Sequence, residues 1–187
     1  MQTIVSVEVI DEAQEVVSLE LAKQQLRVES SFTVEDTLIQ SMIDAAVLAS
    51  ENYIGGQLKE ATAIVAYDRV SGAFLPVPAN LFPVQSIEFI KYFDTTNTEQ
   101  TLDASNYSLM KSDEKEAFIY FKNEVPELYD RPDAMKIEVK VGYAENIPAP
   151  IKQAILLQIS DMYDRREDRM EVPLTAATKL MRPYKKF

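Results

Sequence analysis

The chain contains no cysteine, no histidine and no tryptophan in 187 residues, and only four glycines. Without cysteine there are no disulfides and no thiolate zinc sites. Without histidine the commonest general base and transition-metal ligand is missing, so serine–histidine and cysteine–histidine nucleophile pairs are impossible within one chain. An enzyme built from these residues would have to rest on carboxylates, on lysine or on Mg²⁺. No apolar run reaches 18 residues, so no membrane span is expected. The opening Met1-Gln2-Thr3-Ile4 lacks the basic and apolar segments of a signal peptide, and the lack of cysteine fits the bacterial cytoplasm. Positive charge is the scarcer sign, with 19 Lys and Arg against 30 Asp and Glu, a net charge of −11. Sequence-independent DNA binding needs clustered cations to displace counterions. This surface would instead repel a nucleic acid passing close by, and it favours solubility.

What is present reads as helices at both ends and short strands between them. Hydrophobic residues make up 47% of the chain, enough for a real core in one domain with a sizeable insertion. Residues 3–10 alternate as a strand. Ser18 is a helix N-cap for a short helix to about residue 28, with Leu19, Ala22, Leu26 and Leu21 as its apolar face. Thr33, followed by Asp36, predicts the cap of a longer helix. There Leu38, Met42, Ala45, Ala49 and Tyr53 recur at three and four and mark a buried face, which Ile39, Ile43, Ala46 and Ile54 widen. A stripe this wide implies contacts on two sides. Gly55-Gly56 stops the helix.

The middle predicts strands at 61–68 and 87–93 and a hairpin from 107–111 and 117–121. Residues 135–141 form a half-exposed strand in which Ile137, Val139 and Val141 alternate with Lys136, Glu138 and Lys140. Pro76, Pro78 and Pro83 exclude both a helix interior and a central strand at 74–83, and 95–101 reads as a polar loop. Pro150 opens a third helix with Ile151, Ala154, Ile155, Ile159, Met162 and Tyr163 facing the core. A short helix over 175–181 precedes a basic tail. The expected fold is α+β, a helical core formed from N- and C-terminal helices with a central antiparallel β insertion. The expected parts are 1–60, 61–145 and 146–187, the first and last packing as one domain.

No catalytic constellation stands out. Glu35-Asp36 suits a helix N-terminus, where acids compensate the dipole. Asp161, Asp164, Glu167 and Asp168 have helical spacing and could hold a divalent ion through oxygen. Arg165, Arg166 and Arg169 are interleaved with them, so intrahelical ion pairing is the reading. Gly55-Gly56 follows a helix, whereas phosphate-binding glycines precede one. The aromatics are spread through the elements without interleaved cations, unlike a single-strand binding platform. No catalytic, metal or cofactor residues are therefore assigned, and no cofactor is expected.

The order of several segments resembles the head–tail connector (adaptor) proteins of tailed bacteriophages, in the longer form with a central β insertion. The front motif is the short helix from Ser18-Leu19-Glu20, then the long helix ending Glu51-Asn52-Tyr53-Ile54-Gly55-Gly56-Gln57-Leu58. Leu75-Pro76-Val77-Pro78, Pro83-Val84-Gln85-Ser86-Ile87, Tyr92-Phe93-Asp94, Leu102, Tyr107 and Val141-Gly142-Tyr143 resemble the insertion. The back motif is Ile151-Lys152-Gln153-Ala154-Ile155-Leu156-Leu157 with Tyr163 and Arg166-Glu167, closing on Leu180-Met181-Arg182-Pro183-Tyr184. Two departures from the family's pattern are the absence of tryptophan and of a glycine in the 94–100 loop.

The resemblance implies a non-enzymatic structural protein of a phage or prophage. It would form a ring of about a dozen subunits below the portal, extending the DNA channel and joining head to tail after DNA packaging. It implies a portal protein and a tail-side or stopper protein as partners, DNA passing through without specific binding, and no membrane. The protein would be made in the bacterial host cytoplasm and end at the virion head–tail junction. Asp164, Arg165, Arg166, Glu167 and Arg169 are the candidate subunit interface. Arg182, Tyr184, Lys185, Lys186 and Phe187 are the candidate portal-docking tail. The alternatives are a tail-completion or other virion interaction module, and a carboxylate- or Mg²⁺-based enzyme.

Overall fold

The computed structural model describes residues 4–11, 15–113, 116–143, 146–165 and 176–186. The chain divides into two units, Met1–Ala13 with Lys59–Tyr143, and Gln14–Leu58 with Ala144–Phe187. The β-rich unit is thus inserted between the two halves of the helical one, and the fold is α+β.

Strand β8 (Met135–Val141) organises the β-rich unit. Its residues alternate strictly between buried and half-buried, the period-2 signature of a strand with one face on the core. It lies at the centre of a five-stranded antiparallel sheet ordered β1-β2-β8-β4-β5, with β1 (Ile4–Asp11), β2 (Ala61–Tyr67), β4 (Val84–Phe93) and β5 (Glu99–Thr101). The first strand, grouped with the helices in the sequence reading, pairs with β2 from Ile4 opposite Tyr67 to Asp11 opposite Ala61, and so belongs to this sheet. A second sheet, β3-β7-β6, is built on the expected hairpin of β6 (Tyr107–Asp113) and β7 (Glu116–Phe121). The proline-rich segment contributes only β3 (Phe74–Pro76), at that sheet's edge, where a strand residue without an N–H is tolerated. Ala63, Val65, Ile137, Val139 and Ile90 of the first sheet and Leu75, Ile119 and Phe121 of the second share one core.

Two backbone positions in this unit are chemically fixed. Gly142, directly after β8, has φ +93, and a Cβ there would lie 1.9 Å from the Lys59 carbonyl oxygen, so only glycine fits. The turn after β4 does without glycine because Asn97 takes the left-handed conformation, with φ 59.

The helical unit comprises α1 (Leu19–Leu26), α2 (Asp36–Ile54), α3 (Ala149–Asp164) and α4 (Ala176–Met181). Ser18 caps α1, its Oγ accepting from the Leu21 N–H at 3.2 Å. Pro148 and Pro150 flank the start of α3, where missing N–H groups cost nothing. Gly55 ends α2 at φ 75, its N–H donating to the Glu51 carbonyl at 2.8 Å. Thr33 does not cap α2. The helix begins at Asp36, whose carboxylate is instead paired with the Lys23 ammonium.

The core of this unit is Ile39, Met42, Ile43, Ala46, Val47 and Ile54 of α2 with Ile151, Ala154, Ile155, Leu156 and Ile159 of α3. Two polar pairs cross it. Gln158 donates to the buried Ser50 hydroxyl at 3.0 Å, and Gln25 donates to Ser160 at 3.3 Å.

Candidate assembly surface

The wide apolar stripe on α2 does not bury itself on two sides. Its Ile39–Ile43–Ala46 side packs inward, while Leu38, Ala45, Leu48 and Ala49 are exposed, Leu48 at 60%. With a period of 3.6, Leu38, Ser41, Ala45, Leu48, Ala49 and Asn52 fall on one solvent face of this helix, and none carries charge. Bordered by the exposed Asp44, this group of uncharged positions is a candidate contact surface. Along one flank runs a cleft of about 470 Å³ between α2, α3 and α4, lined by Ala49, Tyr53, Leu157, Met162, Ala177 and Met181 among others.

At the other end of α2 the loop over residues 27–35 is held by a buried cation. Lys23 is 4% exposed; it pairs with Asp36 and donates to the Phe32 carbonyl at 2.9 Å and the Ser30 carbonyl at 3.3 Å. Such pairing is what makes a buried ammonium tolerable. Tyr163 of α3 adds a hydrogen bond of 2.5 Å to Glu35. The loop so fastened presents Phe32 and Val34 to water, Val34 at 83% exposure. The sequence reading put Leu21 on the apolar face of α1; the structure leaves Leu21 exposed and buries Lys23. A lysine among apolar positions is a signal only once the loop carbonyls it serves are known.

The sequence-chosen site residues are placed as follows. Asp164 and Arg165 stand exposed at the C-terminal end of α3, with Arg165 Nε 3.1 Å from Asp161 one turn back. Arg166, Glu167 and Arg169 lie outside the described residues. Arg182 and Tyr184 form a 3-10 turn after α4. Lys185 lies over the Tyr53 ring, its Nζ 5.0 Å from the centroid, and the Lys186 N–H donates to the Ile54 carbonyl at 2.8 Å. The tail's first residues therefore pack on the end of α2. Phe187 lies outside the described residues.

The perturbed ionisable groups belong to turns and core of the β-rich unit. Hydrogen bonds from Thr96, Gln100 and Thr98 lower the Asp94 carboxyl to about 2. The Ser105 hydroxyl and N–H lower Asp103. Arg131 and then Lys136 lower Asp133. Burial raises the Tyr67 hydroxyl, which donates to the Pro76 carbonyl at 2.9 Å. These are loop-closing and core contacts, with no nucleophile–base pair among them. Among the described residues, no group of three acids is placed to hold a metal ion, and no helix is long and apolar enough to cross a membrane.

No protein-family model matches the chain, and no curated protein matches it in sequence. Solved structures do match in fold. A chain from the neck of an empty GTA particle computed with C6 symmetry superposes with a TM-score of 0.74 at 16% identity, over 96% of each chain. A chain from the virion of a native gene transfer agent (GTA) particle gives 0.74 at 17%, over 96% of this chain and 95% of that one. One from the neck of a native GTA particle computed with C12 symmetry gives 0.73 at 16%, over 96% of each. At such identities the likeness is one of fold.

Proposed function

We propose that this chain is a structural, non-enzymatic subunit of the neck of a phage-like particle. It assembles as a ring of about a dozen copies below the portal, extends the DNA channel and joins head to tail after packaging. The observation that carries this reading is the fold likeness to neck chains, which extends over nearly the whole of both partners, helical unit and β insertion alike. The exposed apolar positions Leu38, Ala45, Leu48 and Ala49 of α2 support it, because ring contacts need surface that copies of an acidic chain can share. So does the net charge of −11, which suits a wall that DNA slides past. In this reading Asp164, Arg165 and the charged residues after them set subunit register, and the tail from Arg182 onward docks on the portal. A tail-side or stopper protein meets the opposite face.

Native mass spectrometry over a concentration series, alone and with the cognate portal protein, tests the reading. The expected species is a closed ring of about a dozen subunits. A chain that stays monomeric under both conditions overturns it. Capture by a tail-tube protein but not by portal would move the role to tail completion.

A further inference from the structure

We propose that two copies of this chain join through the outer edges of their β1 strands, paired antiparallel about Val7. A two-fold contact uses the same surface on both copies, whereas a ring contact joins unlike ones, so this contact stands apart from the ring reading.

The outer strand of a sheet offers its free N–H and C=O groups to any other strand, and edges are normally blunted by shortness, lysine or proline. Three of the four sheet edges here are blunted in that way. β5 and β3 have three residues each, β3 with Pro76 among them, and β6 carries the exposed Lys111. β1 is built differently. It runs for eight residues without lysine, arginine or proline. Among the described residues it pairs on one side only, with β2. Its side chains are also short of packing. Val7 stands opposite the buried Val65 yet is 37% exposed, and Ile4 and Ile10 are 42% and 50% exposed. Main chain and side chains of this strand are both left for a partner.

The order of residues identifies that partner as a second β1. Read outward from Val7, the strand is the same in both directions. Polar Ser6 and Glu8 lie one step away, Val5 and Val9 two steps, Ile4 and Ile10 three. An antiparallel pair centred on Val7 therefore sets Val7 against Val7 and Ser6 against Glu8, and brings the isoleucine ends of the two strands together. Neighbouring registers lack this match. Centring on Glu8 would put two carboxylates directly opposite, which destabilises a strand pair. Centring on Ser6 would set Ile4 against Glu8, and centring on Val9 would set Ile10 against Glu8. Glu8 is the one charge between Ile4 and Ile10, so this edge is also where copies of an acidic chain repel each other least. The irregularity of β1 against β2 falls between Ile4 and Ser6, so the central rungs at Ser6, Val7 and Glu8 lie in its regular part.

The chain has no cysteine, so Val7→Cys and Ile10→Cys each introduce a lone thiol. With a short bis-maleimide, Val7→Cys is expected to give a covalent dimer, because position 7 meets itself. Ile10→Cys is expected to give none, since its two thiols stand six residues apart along the ladder, roughly 20 Å at the rise of an antiparallel strand. A linked dimer from Ile10→Cys, or dimers that Val7→Cys leaves unlinked, overturns the pairing. Sedimentation velocity over a concentration series reads the contact without a cross-linker. The wild type is expected to show a monomer–dimer step. Val7→Lys, which sets like charges opposite each other, is expected to move its midpoint about tenfold or more higher in concentration with an unchanged circular dichroism spectrum. Val7→Ile is expected to leave it in place. An unchanged midpoint for Val7→Lys overturns the proposal, as does a wild type that forms no dimer at any concentration. Rings that assemble without a dimer step overturn the pairing and leave the ring reading standing, while dimers that never close into rings, with portal or without, do the reverse. A monomer whose β1 amides gain protection from hydrogen exchange only when portal protein is added would give the edge to that partner, and overturns the pairing as well.

Discussion

Asp94 shows how a single side chain closes a loop that has no glycine to do so. Its carboxylate accepts the N–H groups of Thr96 and Thr98 at 2.9 and 3.1 Å, the Thr96 hydroxyl at 2.6 Å and the Gln100 amide at 2.9 Å. Asn97 takes the left-handed position between them, its N–H bonded to the Asp94 carbonyl at 2.8 Å. Because these bonds favour the ionised form, the folded carboxyl titrates at about 2 instead of 3.8. The unfolded chain binds the proton first. The loop's contribution is therefore complete above pH 3.8 and is lost as pH falls toward 2. Asp94→Asn is expected to flatten the acid limb of the stability–pH curve in that window and leave its neutral part little changed in slope. Urea unfolding at stepped pH, with carboxyl titration of Asp94 by NMR, checks this. A wild-type midpoint near 3.8 would contradict the hydrogen-bond account.

At the scale of elements, legibility followed how much of an element's environment lies within its own sequence. The alternation of β8, the β6–β7 hairpin and the Gly55 stop of α2 are local signals, and the structure carries each of them. The partner of β1 is not a local matter, since its ladder is made with β2, from Asp11 opposite Ala61 to Ile4 opposite Tyr67. The two sides of α2 were legible as apolar but not as inside and outside. Both sides have helical period, and only the packing of α3 decides that Ile39 and Ile43 go in while Leu38 and Ala45 stay out. The burial of Lys23 was not legible for the same reason. Its ammonium is buried because carbonyls seven and nine residues on converge on it, together with Asp36. Lys23→Met would keep the stem and remove the donors, leaving Asp36 and two loop carbonyls without their cation. The expected cost is about 2–3 kcal/mol, less than for a fully buried pair because Asp36 keeps some contact with water. It should appear as a lower urea midpoint with an unchanged slope. A cost under about 0.5 kcal/mol, the scale of a surface substitution, would mean that the loop is not held by this cation.

For the whole molecule, the distribution of cations matters more than their number. Arg69, Lys91, Arg131, Lys136, Lys140 and Arg165 each stand within 4 Å of a carboxylate, so part of the scarcer positive charge is neutralised where it sits. Arg131 is further committed to the Phe93 ring, 3.8 Å from its centroid. What faces solvent is the excess of acid, and a closed ring multiplies it by the number of copies. In the proposed ring, such a wall would hold DNA by geometry alone. Binding should be weaker than about 10⁻⁴ M at physiological salt, the weak end of non-specific protein–DNA affinity. Fluorescence anisotropy of a labelled duplex, titrated with monomer and with assembled rings, measures it. The diagnostic is the salt dependence. Proteins that neutralise phosphates lose affinity steeply as salt rises, whereas this one should show no binding whose strength falls steeply with salt. Tight binding that salt abolishes would require a cationic surface that assembly creates. It would count against a channel lining that lets DNA slide.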